Sequence, residues 1–218
     1  MADQETYLQA GVDADEFLVG PSVILIQAAD NYSITGNDGT GFPAGIQHVV
    51  NVATGAAMTG NGWEHLGYTE NVNPTRNRTV VTHDSDQEAR VEEVHDVWEN
   101  GITVTALQCS LAKLRLFWQG KATDPSAVAD STPAQQKLDI GNPTTIQNRR
   151  VAILHPDKLG YLLMIVYRKA SLRSTGGPTF SRTGRVEFPL EITAKPDTRE
   201  TDVDARIMRI FRTTSPVT

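Results

Sequence analysis

Three apolar runs constrain this chain most: Pro21-Ser-Val-Ile-Leu-Ile-Gln27, Val151-Ala-Ile-Leu-His155 and Tyr161-Leu-Leu-Met-Ile-Val-Tyr167. The first follows Gly20 and is compact and β-branched, which predicts a well-buried strand; the other two predict strands as well. Arg185-Val-Glu-Phe-Pro-Leu-Glu-Ile-Thr193 and Arg206-Ile-Met-Arg-Ile-Phe211 add two more, and Ile102-Thr-Val-Thr-Ala-Leu107 alternates as a half-buried strand does. Trp63 to Val72 and the Thr- and Val-rich stretch Thr75 to His83 predict a further pair. One segment has helical character. Ser110 is placed to cap Leu111 to Trp118, with Gly120 as the stop, and Leu111, Leu114 and Trp118 share the face that would lie on the sheet. The chain reads as mainly β with one short helix.

The connections are as informative as the strands. Residues 1–16 are polar and acidic and read as an N-terminal arm. From 31 to 62 the chain is rich in glycine, with an apolar stretch only from Ile46 to Val52, and reads as a long loop or extended hairpin. A loop of that length in one domain points to contact with something outside it. Residues 121–150 are polar, contain Asp124-Pro and Asn142-Pro, and read as an inserted excursion. Residues 85–98 admit two readings. Ser85 and Glu88 could form a capping box with Val91, Val94 and Trp98 at helical spacing, whereas Asn100-Gly101 just before Ile102 is a strong hairpin signal. The hairpin reading is favoured. No linker divides residues 1–218, so a single domain is expected.

Composition excludes several function classes. The chain has 218 residues, with 20 basic and 26 acidic side chains and a net charge of −6, and no dense Lys/Arg block. Grip on nucleic acid through phosphate neutralisation is not expected. The single cysteine, Cys109, excludes an internal disulfide and a Cys-rich metal site. The five histidines, His48, His65, His83, His95 and His155, are dispersed, so no metal centre is expected; His83-Asp84 and His95-Asp96 are the only suggestive pairs. No Gly-x-Ser-x-Gly elbow is present, and Gly36-Asn-Asp-Gly-Thr-Gly41 lacks the spacing and the Gly-Lys of a phosphate loop. Glu92, Glu93 and Asp96 form the densest acidic patch, read as a solvated strand face. The acidic N-terminus and the absence of a long apolar run argue against a secretory signal or membrane insertion. No catalytic residue and no cofactor are assigned.

The order of features carries a resemblance. The apolar strand Pro21 to Gln27 precedes a long loop and then Gly62-Trp-Glu-His-Leu-Gly67. A strand pair around Asn100-Gly101 follows, and the threonine-rich Ile102 to Gln108 then leads into Ser110-Leu-Ala-Lys-Leu-Arg-Leu116. The late strand Phe188-Pro-Leu190 with its Lys195-Pro-Asp197 turn fits the same series. In these respects the chain resembles the major tail tube proteins of long-tailed bacteriophages, within the wider family of phage tail and type VI secretion tubes. The resemblance implies an antiparallel β-sandwich or half-open barrel with one flanking helix, a long loop and extended arms. It implies self-assembly into hexameric rings that stack as a hollow tail tube, made in the host cytoplasm and residing in the virion. The partners it implies are further copies of the chain, the tape measure, the tail terminator, the baseplate or tip, and DNA in non-specific transit. An acidic lumen would repel DNA phosphates, and Glu88, Glu92 and Asp96 are the candidates to face it, since they would share one face of a regular strand. The candidate inter-ring loop holds Gly36, Asn37, Asp38, Gly39 and Phe42. Two other readings stay open: the tube of a contractile tail or secretion system, and a small β-barrel enzyme or ligand-binding module using His65, His95, Asp96 and Trp98.

Overall fold

A computed structural model of the chain describes residues 22–27, 42–83, 92–107, 110–118, 125–129, 132–141, 148–157, 160–179 and 186–216, with the side chains of 78–83 and 92–98 left outside the description. The apolar runs form its centre. β1 (Val23–Gln27) lies between β2 (Trp63–His65) and β7 (Asn148–Pro156), and β7 pairs in turn with β8 (Leu162–Ser174). Successive side chains of a strand point to opposite faces, so an unbroken apolar run needs cover on both. Both covers are present. Ile24, Ile26, Val151, Ile153 and Tyr167 enter one core cluster, while Leu25, Ala152, Leu154, Met164 and Val166 enter a second.

The first cluster fills the inside of a curled sheet. Its order is β2-β1-β7-β8-β9-β4-β3, all antiparallel, where β3 is Thr69–His83, β4 is Glu92–Ala106 and β9 is Phe188–Ala194. β4 and β9 alternate, and Ile102, Val104, Ala106, Phe188, Leu190 and Ile192 face inward. The sheet is not closed into a barrel. Helix α1 (Leu111–Phe117) covers the inner cluster, capped by Ser110 Oγ, which accepts from Lys113 N at 3.3 Å. Such a cap is worth about 1 kcal/mol. The helix buries Leu116 and Phe117, with Leu114 and Trp118 packed beside them. This rotates the buried face away from Leu111, because the ring of Phe117 stacks at 5.3 Å on Phe188 and Trp118 meets the same ring edge-on at 6.4 Å. Lys113 Nζ donates to the His65 carbonyl oxygen and reaches Glu64 at 3.5 Å, tying the helix to β2.

The second cluster is covered by 42–62. Its first part is packed: Phe42, Ile46, Val49 and Val50 are buried against Trp63 and β7–β8, while 51–56 form an exposed turn closed by a Val50–Ala57 bridge, with single 3-10 turns at Ile46–His48 and Thr59–Asn61. Residues 28–41 lie outside the description. In the segment read as a 121–150 excursion, β5 (Ser126–Ala127) and β6 (Gln136–Lys137) form a separate, two-stranded sheet, mostly exposed, but the segment's end is corrected: residues 148–150 belong to β7, with Arg149 and Arg150 buried. The last strand, β10 (Met208–Arg212), pairs with β8 beside the main path.

Two sequence expectations are corrected here. The two strands read at 63–72 and 75–83 are present with other bounds: β2 is short, and β3 runs for 15 residues through Asn71, whose φ of 53° sits at a shift in register between Glu70 and Asn73. Asn100-Gly101 is not a turn. It lies inside β4, whose hairpin partner is β3 and whose turn falls outside the described residues. Glycine is required there by close approach: a Cβ on Gly101 would stand 2.9 Å from the Ile192 carbonyl oxygen of β9. Gly101→Ala should therefore cost about 1–3 kcal/mol by the usual cost of overpacking. Gly141→Ala, with nothing within 4 Å of its Cβ, should stay within about 0.5 kcal/mol. Urea unfolding of the two variants checks the contrast.

Candidate assembly surfaces

The β3–β4 ribbon is the first surface the fold presents. β9 supports β4 only from Gly101 to Ala106, so Glu92 to Asn100 pairs solely with Arg76 to His83 of β3. Beyond that support the ribbon is two strands wide among the described residues. Two strands alone are marginal in water. β3 and β2 also end the sheet, so each leaves an edge without a described partner.

The ribbon's root contributes to a polar face. Thr75, Asn77, Glu99, Thr103, Glu191 and Thr193, with Arg173 of β8, line a shallow trough on the side of the sheet opposite the core. Arg173 is ion-paired with Glu191 at 2.7 Å. Both side chains are solvated, so the pair adds little stability, but it neutralises the positive charge within the trough.

The third feature is a buried polar cluster that sequence reasoning missed. Phe42 is fully buried, with the guanidinium carbons of Arg168, Arg209 and Arg150 at 4.1, 5.3 and 5.7 Å from its ring centroid. Cation–π contacts are worth about 0.5–2 kcal/mol, with the larger values in dry surroundings. Arg168 is 1% exposed and needs an anion, which Glu200 supplies at 2.6 Å; Arg168 Nε also donates to the Ala205 carbonyl at 2.7 Å. Glu200 lies 3.9 Å from Arg209, and its own carbonyl accepts from Arg206 Nε at 2.9 Å. Asp197 completes the cluster, accepting from Arg199 N, Nε and Nη2 at 3.2, 2.9 and 2.6 Å. The sole sequence hint was Arg149-Arg150 and Arg168 set within strands that are otherwise apolar.

The residues named from sequence fare differently. Phe42, assigned to the inter-ring loop, is the buried anchor at the base of that segment; Gly36, Asn37, Asp38 and Gly39 lie outside the described residues. Glu88 also lies outside them, and Glu92 and Asp96 are placed only as backbone of β4. The ladder there is not regular. It passes from Thr79–Val97 to Val80–His95, leaving Asp96 at the step, so the two-residue alternation behind the shared face is interrupted. Of the residues offered for a ligand-binding module, His65 accepts from Ala57 N at 3.2 Å, and the side chains of His95, Asp96 and Trp98 are outside the description. Among the described residues no three His, Cys, Asp or Glu side chains converge on a metal position.

The fold thus joins an antiparallel sheet, one capped helix and a β3–β4 ribbon that runs past its β9 support. The model for phage tail tube proteins matches residues 23–208. The chain belongs to that family. The match begins at β1 and ends in β10, so the helix, the 42–62 cover, the excursion and the ribbon all fall within the tail tube unit. No curated protein matches the chain at a significant level.

In this tail tube protein the polar cluster shifts the proton affinity of Asp197. Burial pushes the Asp197 carboxyl up, but the hydrogen bonds from Arg199 and the charges of Arg199 and Arg150 outweigh it and hold the group below its ordinary value. A carboxylate depressed in the folded state contributes stability above its unfolded pKa, about 3.9, and loses it as pH falls through the folded value. Asp197→Asn should be less stable than the parent at pH 7, with the gap narrowing below about pH 4. Urea midpoints measured from pH 7 to pH 3 test this.

Proposed function

We propose that this chain is the repeating subunit of a hollow phage tail tube, assembling first into rings and then into stacks through which DNA passes. The observation that carries the reading is the β3–β4 ribbon, which extends past β9 with no further described strand beside it, on a chain of the tail tube family. A ribbon of this kind gains a proper sheet environment when a neighbouring copy supplies the next strand. Sheet edges at β2 and β3 allow the same contact to repeat around a closed ring. Six copies at −6 each would give a strongly negative ring, which suits a conduit that must not hold phosphate. Glu88, Glu92 and Asp96 remain the proposed lumen carboxylates, and Gly36 to Gly39 the proposed inter-ring contact, with Phe42 fixing the base of that loop. The role in the reading is structural, with the tape measure, terminator and tip proteins as further partners in the virion.

Negative-stain electron microscopy of the purified chain should show rings or tubes, with matching fast species in sedimentation. Replacing Val80–Asp96 by Asn-Gly joins the paired residues Thr79 and Val97 through a two-residue turn and removes the outer ribbon. That variant should unfold at nearly the parent temperature, because the pairing of β4 with β9 from Gly101 to Ala106 and of β3 with β4 from Thr69 to Thr79 is kept, yet remain monomeric. Tubes formed by the shortened chain, or a parent chain that stays monomeric at every concentration, would refute the reading.

A further inference from the structure

Among the described residues β10 has a strand on one side only, and the groups on its other edge can be named. Thr213 N donates to the Leu162 carbonyl at 3.0 Å, and Arg168 N donates to the Ile207 carbonyl at 2.9 Å. Antiparallel neighbours alternate between residues that exchange these bonds and residues that do not. With Arg209 opposite Val166 and Phe211 opposite Met164, the bonded set on this side is 207, 209, 211 and 213. The N–H and C=O groups of Met208, Ile210 and Arg212 therefore point away from β8. No described strand pairs with them, and Ile210 stays 55% exposed. Such an edge is a template for an added strand.

We propose that residues 16–20 of a neighbouring copy fill this edge as an antiparallel strand, with Glu16 opposite Arg212, Leu18 opposite Ile210 and Gly20 opposite Met208. The proposal rests on the tube reading above and names one contact that would hold copies together. Three features select the segment. Residues 1–27 contain no Lys, Arg or His, so Glu16 meets the exposed Arg212, which lies 5.8 Å over Tyr161, as an opposite charge. In the same register Leu18 covers Ile210, and Pro21 falls at a position whose backbone would face away from β10, so its missing N–H removes no bond of the pairing. Reach then decides whose segment it is. Val23 is on β1, with β7, β8 and β10 between it and the open slot, a separation of four strand spacings or about 19 Å. The three residues from Gly20 to Val23 span about 10 Å at most. The chain's own segment cannot reach the slot in this register, whereas another copy's can.

Cysteines at 18 and 210 test the pairing directly. A bonded antiparallel pair stands about 5.5 Å apart at Cα, within the span of a disulfide. In a Cys109→Ser background, Leu18→Cys with Ile210→Cys should give a ladder of covalent multimers on a non-reducing gel when assembled tubes are oxidised, and none when dilute monomer is. In parallel, Glu16→Arg and Arg212→Glu should each raise the concentration needed for tube formation about two- to fivefold, and together restore it, as expected for a cross-strand charge pair worth about 0.5–1 kcal/mol. Tubes without a ladder, a disulfide closed within one chain, or single variants that assemble like the parent would overturn the pairing alone. A parent chain that forms no tubes would remove the tube reading itself.

Discussion

The fold turns on one position, Arg168. A strand can hold only one neighbour on each side at a given level, yet β8 has two along the same side: β10 beside Leu163 to Tyr167, and β9 beside Ala170 to Ser174. The sheet forks between them. At the fork Arg168 N donates to the Ile207 carbonyl and the Lys169 carbonyl accepts from Lys195 N, so the backbone stays satisfied while neighbours change. At this position the Arg168 side chain is almost fully buried. A buried cation needs a full set of partners. Glu200 supplies charge, Ala205 an acceptor and Phe42 a π face, which gathers the β9–β10 connection and the 42–62 cover onto one residue.

That dependence explains what could and could not be read in the chain. The runs at 23–27, 151–155 and 162–167 were legible because burial on both faces leaves an unbroken apolar signature. The Ser110 cap was legible because it is local, set by residues three apart. Asn100-Gly101 misled for the opposite reason: its glycine answers to the Ile192 carbonyl, 91 positions on, and no local pattern reveals a neighbour that distant. The helix face was read in part: Leu114 and Trp118 do pack on the core, while Phe117 joins them in place of Leu111 because its ring meets Phe188. Phe42 sat in a glycine-rich stretch and looked like a loop residue, while the arginines around it come from β7, β8 and β10.

The surfaces were less legible than the core, in physical terms because burial leaves a composition signal and edges do not. The threonines of β4 announce a solvated face, but not that β9 and β8 continue it into a polar trough. The regular alternation used to place Glu92 and Asp96 assumes a constant period, and a single step in the β3–β4 ladder breaks it. Family membership, by contrast, came from the order of elements, which survives such local irregularities.

The ribbon's lopsided support has a kinetic meaning. Its root is held by β9, but among the described residues its outer half gains cross-strand contacts only from its own partner strand. In the proposed tube, the free energy of that outer half is realised when a subunit meets a neighbour already in place. A subunit arriving at an existing ring collects this gain at once, whereas two free subunits meeting in solution collect only part of it and bear the full cost of lost translational freedom. Growth of the proposed tube from a preformed end is then faster than starting anew, so where tubes form is decided by where growth begins rather than by how much protein is made.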